Sequence, residues 1–276
     1  MDALPAVAAH QRAYGNLLVR VGLRDGRTVL RDLRQEGSLK ARFPRPAGWM
    51  EAVTLNTSGG VAGGDVLDSA FAVDAGGSAS FSAQAAERFY RALPGSPPST
   101  ITTSITVADG ASAEWLPQET ILFDRCDVSR RLSVAMAADA WFLGVESLVF
   151  GRAAMGETLR QARIADTIAI RRDGRLILHD AVRLSGDVAA CLAGPATARG
   201  AGAVATLVHV APDAEARLDA LREAWTDAPA EAGASAWDGM LVGRIVAADG
   251  AALRATVTKG LQSLRGSRPL PRVWMC

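Results

Sequence analysis

Four carboxylates, Asp65, Glu119, Glu146 and Glu157, sit in apolar or glycine-rich surroundings where a lone charge is costly. Acids so placed form buried pairs, line water-filled passages, or make passing contacts with a cation. Two have plain structural alternatives: Glu157 can pair with Arg152, and Glu119 can complete a local turn. Neither reading is decided by these residues alone.

The segment Leu55-Asn56-Thr57-Ser58-Gly59-Gly60-Val61-Ala62-Gly63-Gly64-Asp65 invites comparison with a phosphate-binding loop. No Lys-Ser or Lys-Thr follows the glycines, the G-x-G-x-x-G spacing is absent, and the next stretch reads as a strand rather than a helix. Paired glycines also permit a bulge or a close backbone crossing, with Asp65 capping exposed amides.

Nucleophilic catalysis requires Ser or Cys beside a base and an orienting carboxylate. The histidines are His10, His179 and His209; His10 lies in a loose leading segment and His209 alternates within a strand pattern. His179 and Asp180 are adjacent, so on a strand they face opposite ways. Cys126, Cys191 and Cys276 are few, odd in number and far apart, which predicts reduced thiols. G-x-S-x-G, H-E-x-x-H and C-x-x-C are all missing, so the sequence predicts no triad and no permanently held metal.

Thirty basic against 29 acidic residues give a formal charge of +1, which removes the footprint of a nucleic-acid binder. The opening MDALPAVAAHQRAYG has no basic region before an apolar core, and no stretch of 18 or more apolar residues occurs. A cytoplasmic protein, with neither nucleic acid nor membrane as partner, is the expectation.

The elements that must position these groups are mostly strands. Leu67, Ser69, Phe71, Val73 and Ile101, Thr103, Ile105, Val107 alternate with period two. Further short apolar runs lie at Leu17 to Leu23, Leu132 to Met136, Trp141 to Val145, Ile164 to Ile170, Leu176 to Leu178 and Val204 to Val210. Asp74-Ala75-Gly76-Gly77 predicts a hairpin between the strand ending at Val73 and the apolar run Ala79, Phe81, Ala83. Helical spacing is confined to Asp213 to Trp225, with Asp213 as N-cap, and to Leu253, Val257, Leu261 and Leu264 between Asp249 and a Gly266 stop. No internal repeat supports a solenoid. The rigid PGSPP loop within 93–99 is flanked by strands of like character, so residues 1–276 are expected to form one domain. The fold class predicted is mainly β, a large multi-stranded scaffold with about two helices toward the C-terminus.

Four ordered stretches, LNTSGGVAGGD (55–65), AQAAERFYR (83–91), EWLPQETILFD (114–124) and ESLVFGRAAMGE (146–157), together with the closing LPRVW (270–274), resemble the urease accessory protein family UreD, called UreH in some systems. The resemblance runs from about Leu17 to Trp274, and departs from the family pattern at Ala62 and Cys126. It implies a non-catalytic, mainly β scaffold that acts with UreF and the GTPase UreG on the urease apoprotein and encloses a water-filled route for nickel. No cofactor is implied as permanently bound; nickel(II) would be transient. Oxygen ligands exchange more readily than Cys or clustered His, so carboxylates suit such a route. Asp65 is the first candidate, with Glu146 and Glu157 behind it. A stand-alone β-rich binding module is the rival reading; it leaves the ordered motifs unexplained.

Overall fold

A computed structural model describes residues 12–45, 48–152 and 155–275; His10 and Cys276 lie outside them. Among the described residues the chain forms, in order, β1 (Tyr14–Arg24), β2 (Arg27–Gly37), β3 (Leu39–Arg42), β4 (Met50–Asn56), β5 (Val66–Val73), β6 (Ser78–Ala83), β7 (Glu87–Phe89), β8 (Ser99–Val107), β9 (Ser112–Leu116), β10 (Thr120–Leu122), β11 (Asp127–Met136), β12 (Trp141–Phe150), β13 (Ala162–Arg172) and β14 (Arg175–Gly186). Then come α1 (Val188–Ala193), β15 (Ala203–Val210), α2 (Leu218–Ala224), β16 (Glu231–Trp237), β17 (Met240–Ala247) and α3 (Gly250–Arg265). The mainly β class is correct. Among the described residues the α-helices are three, because the short α1, capped by Asp187 accepting from Ala190 N (3.0 Å), joins the two expected later ones.

The strands make two layers. One sheet runs β14-β13-β11-β8-β5-β1-β2, and the other runs β16-β17-β15-β12-β9-β6-β4-β3 with β10 and β7 attached beside β12. Through the centre of the chain, successive strands alternate between the layers: β5 lies in the first, β6 in the second, β8 in the first, β9 in the second. Neighbours within the central part of each sheet are consequently parallel, as in β5 with β8 and β6 with β9.

The hairpin expected at 74–77 is therefore not formed. The turn itself exists: Gly77 N donates to Asp74 O (2.9 Å) and Gly76 takes φ +69°. It carries the chain across the sandwich instead of back along the same sheet. Matching turns occur where Ala111 N meets Ala108 O (3.0 Å) and Ala140 N meets Ala137 O (3.3 Å). They stack, since Gly76 N donates to Asp109 O and Gly110 N to Asp139 Oδ1, both at 3.0 Å. The centre of the molecule thus winds like a solenoid. FAVDAGGSASF (71–81), ITVADGASAEW (105–115) and SVAMAADAWFL (133–143) are its successive corners, unequally spaced and too divergent to read as a repeat.

Alternation gives each strand one face toward the other sheet. Leu17, Val19, Phe71, Phe81, Ile105, Leu132, Phe142 and Ile164 fill the space between the layers, and each such side chain contributes about 1.5–3 kcal/mol on burial. The opposite face of the second sheet is covered by α2 and α3. Leu253, Val257, Leu261 and Leu264 of α3 pack with Leu116, Val145 and Leu207. Asp249 caps α3 by accepting from Ala252 N (2.8 Å), and Gly266 leaves it with φ +61°, as the sequence predicts. Gly260 lets α3 approach Trp225 closely: a Cβ there would lie 2.9 Å from the indole. Asp213 does not cap its helix; it pairs with Arg217 (3.1 Å), and a 3-10 turn over Ala214–Arg217 precedes α2. No described helix is long and apolar enough to cross a membrane.

Candidate functional site

The inward phase of most strands is apolar, and a few charged residues interrupt it. On the first sheet Arg130 (β11) stands beside Asp166 (β13), with Asp180 on β14. On the second, Glu146 (β12), Thr206 (β15) and Arg244 (β17) are register neighbours. The two sets meet across the gap between the sheets.

Arg130 grips Asp166 with two parallel bonds, Nε to Oδ1 at 2.9 Å and Nη2 to Oδ2 at 2.6 Å. Its Nη1 donates to Thr120 Oγ1 (2.7 Å) and lies 2.7 Å from Glu146 Oε2. The second contact is a short ion pair, and Oε2 is buried with Arg130 as its partner. Glu146 Oε1 accepts from Trp115 Nε1 at 2.7 Å. Burial pushes the Glu146 carboxyl above its ordinary range, against the pull of Arg130, and Asp166 adds to the rise. Burial also opposes the charge on Arg130, but Asp166 and Glu146 outweigh it and hold the guanidinium protonated.

Further along the seam Arg244 bonds both oxygens of Asp180, at 2.6 and 2.8 Å, and Thr206 Oγ1 at 2.6 Å. Burial works against the Asp180 charge, yet the bonds from Arg244 bring its carboxyl below the usual range. The Arg244 side chain is 49% exposed, so the polar seam reaches the surface.

Space flanks this seam on both sides of Glu146. A cavity of about 310 Å³ is lined by Glu146, Arg130, Thr120, Trp115, Glu87 and Gln118, among others. Beyond Glu146 a chamber of about 20 Å³ is lined by Glu146, Asp166, Asp180 and Thr206. That is room for roughly one water with several polar partners. In the larger cavity burial raises the Glu87 carboxyl, which accepts from Asn56 Nδ2 at 3.1 Å and Arg88 N at 3.3 Å.

Of the three carboxylates proposed from sequence, only Glu146 lines either space. Asp65 is 4% exposed and accepts from Ala13 N (2.8 Å) and Ala62 N (2.7 Å), a cap on the glycine-rich turn. Gly60 in that turn holds φ +141° and lies so near Tyr90 that a Cβ would sit 2.3 Å from its ring. Glu157 pairs with Arg152 at 2.8 Å, and that bond draws its carboxyl down. Glu119 pairs with Arg254 at 3.0 Å. His209 is a buried strand residue whose Nδ1 meets Phe142 O (3.0 Å). Burial pushes the Cys126 thiol up to about 12, so the reactive thiolate is scarcely populated near neutral pH. Among the described residues no three His, Cys, Asp or Glu side chains converge to hold a metal ion.

Arg130, Asp166, Arg244 and Glu87 escaped the reading of the sequence, and Asp180 entered it only as the neighbour of His179. For two of them a signal was present: Arg130 falls in phase with Val128 and Leu132, and Asp166 with Ile164 and Ile168. A charge in the inward phase of an alternating strand requires a buried partner.

The fold and seam define a two-layered β protein with a continuous polar line through its apolar interior. Residues 13–275 match the family described as UreD urease accessory protein. Urease accessory protein UreD of Methylobacterium sp. (strain 4-46) is 46% identical over 277 residues, covering 98% of this chain and 97% of that protein. The proteins of the same description from Xanthobacter autotrophicus and Rhizobium leguminosarum bv. viciae are 43% and 44% identical, covering 97% and 99% of this chain and 91% and 99% of their own lengths. The chain belongs to the UreD urease accessory protein family, whose role is in urease maturation.

Proposed function

We propose that this chain passes nickel(II) to the urease apoprotein in the cytoplasm, as a scaffold working with UreF and UreG and without covalent chemistry of its own. The observation that carries the reading is Glu146, a buried carboxylate shared by the larger cavity and the chamber beyond it. Carboxylate oxygens and water exchange on nickel, whereas thiolate or several imidazoles would retain it. GTP binding is assigned to UreG, because Gly59 to Gly64 lack the lysine and following helix of a nucleotide loop. Asp65 and Glu157 bear on the route only if binding of the partners rearranges the turns that now occupy them.

The test is nickel per urease active site at limiting nickel, with and without this protein. Lower occupancy in its absence, with urease still folded, is expected. Equal occupancy removes the assignment.

A further inference from the structure

Arg130 contacts acids that line both of the spaces flanking Glu146. It lines the larger cavity, while both acids it contacts, Glu146 and Asp166, line the chamber beyond. With both acids ionised the trio carries one net negative charge, so a single guanidinium does not neutralise its surroundings. We propose that Arg130 is a displaceable counter-ion that keeps the two spaces apart, and that a divalent cation passes by taking its place between Glu146 and Asp166. This rests on the nickel-transfer reading above and adds the residue that regulates passage.

Charge matching supports the exchange. A doubly charged ion between the two carboxylates brings the local sum to zero, and carboxylate oxygen is a ligand that hard and borderline divalent ions accept. A monovalent ion offers no more charge than the guanidinium and lacks its fixed fork of donors. Glu146 Oε2 is the lighter hold on the plug, since it meets Arg130 through a single contact (2.7 Å) where Asp166 makes two parallel bonds. When displaced, Arg130 has acceptors within the larger cavity, whose lining includes Thr120, Gln118 and Glu87. A purely structural triad would differ in one respect: with its arginine in place it would admit no divalent ion, so the wild-type chain would show no nickel binding that Glu146→Gln removes.

The experiment is titration calorimetry of nickel(II) into the full chain as wild type, Arg130→Gln and Arg130→Lys, with folding checked by circular dichroism. Arg130→Gln should bind one nickel about tenfold or more tighter than wild type, and Arg130→Lys, which keeps the charge but not the fork, should fall between them. The gain should vanish when Glu146→Gln is added to Arg130→Gln. Should Arg130→Gln fail to fold, Arg130→Lys is judged by the same comparison with wild type. A folded variant that binds nickel no tighter than wild type overturns the proposal, as does a gain that survives Glu146→Gln. Either result leaves nickel transfer itself to be decided separately, by the nickel occupancy of urease.

Discussion

Opposite faces of the second sheet carry two buried clusters of acid and arginine, built in opposite ratios. Between the sheets, Glu146 and Asp166 share Arg130, with open space on either side. On the helix side, Glu114 of β9 is completely buried and takes two arginines. Arg265 of α3 bonds both of its oxygens (2.8 and 3.0 Å), and Arg268 adds a third contact at 2.9 Å. Ser80 Oγ also donates to Glu114, while Arg268 stacks over Trp49 (3.5 Å to the ring centroid) and faces Trp141 at 5.0 Å. Both carboxylate oxygens of Glu114 are satisfied, and neither it nor its arginines line the two spaces beside Glu146. The contrast separates two uses of a buried charge. One cluster fixes the C-terminal helix to the sheet; the other places an acid beside open space.

Breaking the helix-side cluster should have the largest effect. Glu114→Ala strands two arginines in or near the interior, and removing one partner of a buried pair costs about 3–5 kcal/mol. Denaturant unfolding should register that loss, and a change below about 1 kcal/mol would mean that the cluster does not anchor α3. Asp65→Ala should come next, at about 0.5–2 kcal/mol, the usual cost of removing a cap. Asp65→Asn keeps only one oxygen acceptor for the two amides of Ala13 and Ala62, so it should lie between wild type and alanine. If Asp65→Asn instead leaves stability intact and abolishes nickel loading, the turn is part of the route. Glu157→Gln should change least: its pair with Arg152 is partly in solvent, and neither the melting temperature nor nickel loading should move.

Much of this architecture was legible in the alternating strands, because the period-two pattern reports which side chains face inward. Leu67 to Val73, Ile101 to Val107 and Ile164 to Ile170 all lie in strands with that phase buried or half-buried. What alternation does not report is the partner strand. The turn at 74–77 has hairpin composition, yet β5 pairs with β1 and β8, and the solenoid course depends on turns that stack across distant parts of the chain. Helix α3 was legible because a cap, a periodic face and a stop agree; α1, six residues long, offers too little periodicity.

The site divides along the same line. Glu146 could be picked out as an acid amid apolar neighbours, but Asp65 and Glu157 share that description and have local partners instead. Asp166 and Asp180 come from strands far along the chain, and their approach to Glu146 depends on how the two layers face each other. No local pattern encodes that distance.

If Glu146 serves passage of nickel while Glu114 serves stability, a change at Glu146 should separate delivery from folding. The measurement is nickel per urease active site, at limiting nickel, with Glu146→Gln in place of the wild-type chain. Gln retains the shape of the side chain and an oxygen to accept from Trp115 Nε1, and Asp166 still holds Arg130 with two bonds, so folding and complex yield should stay near wild type while nickel occupancy falls. Wild-type occupancy with Glu146→Gln, in a complex of normal yield, would contradict that division of roles.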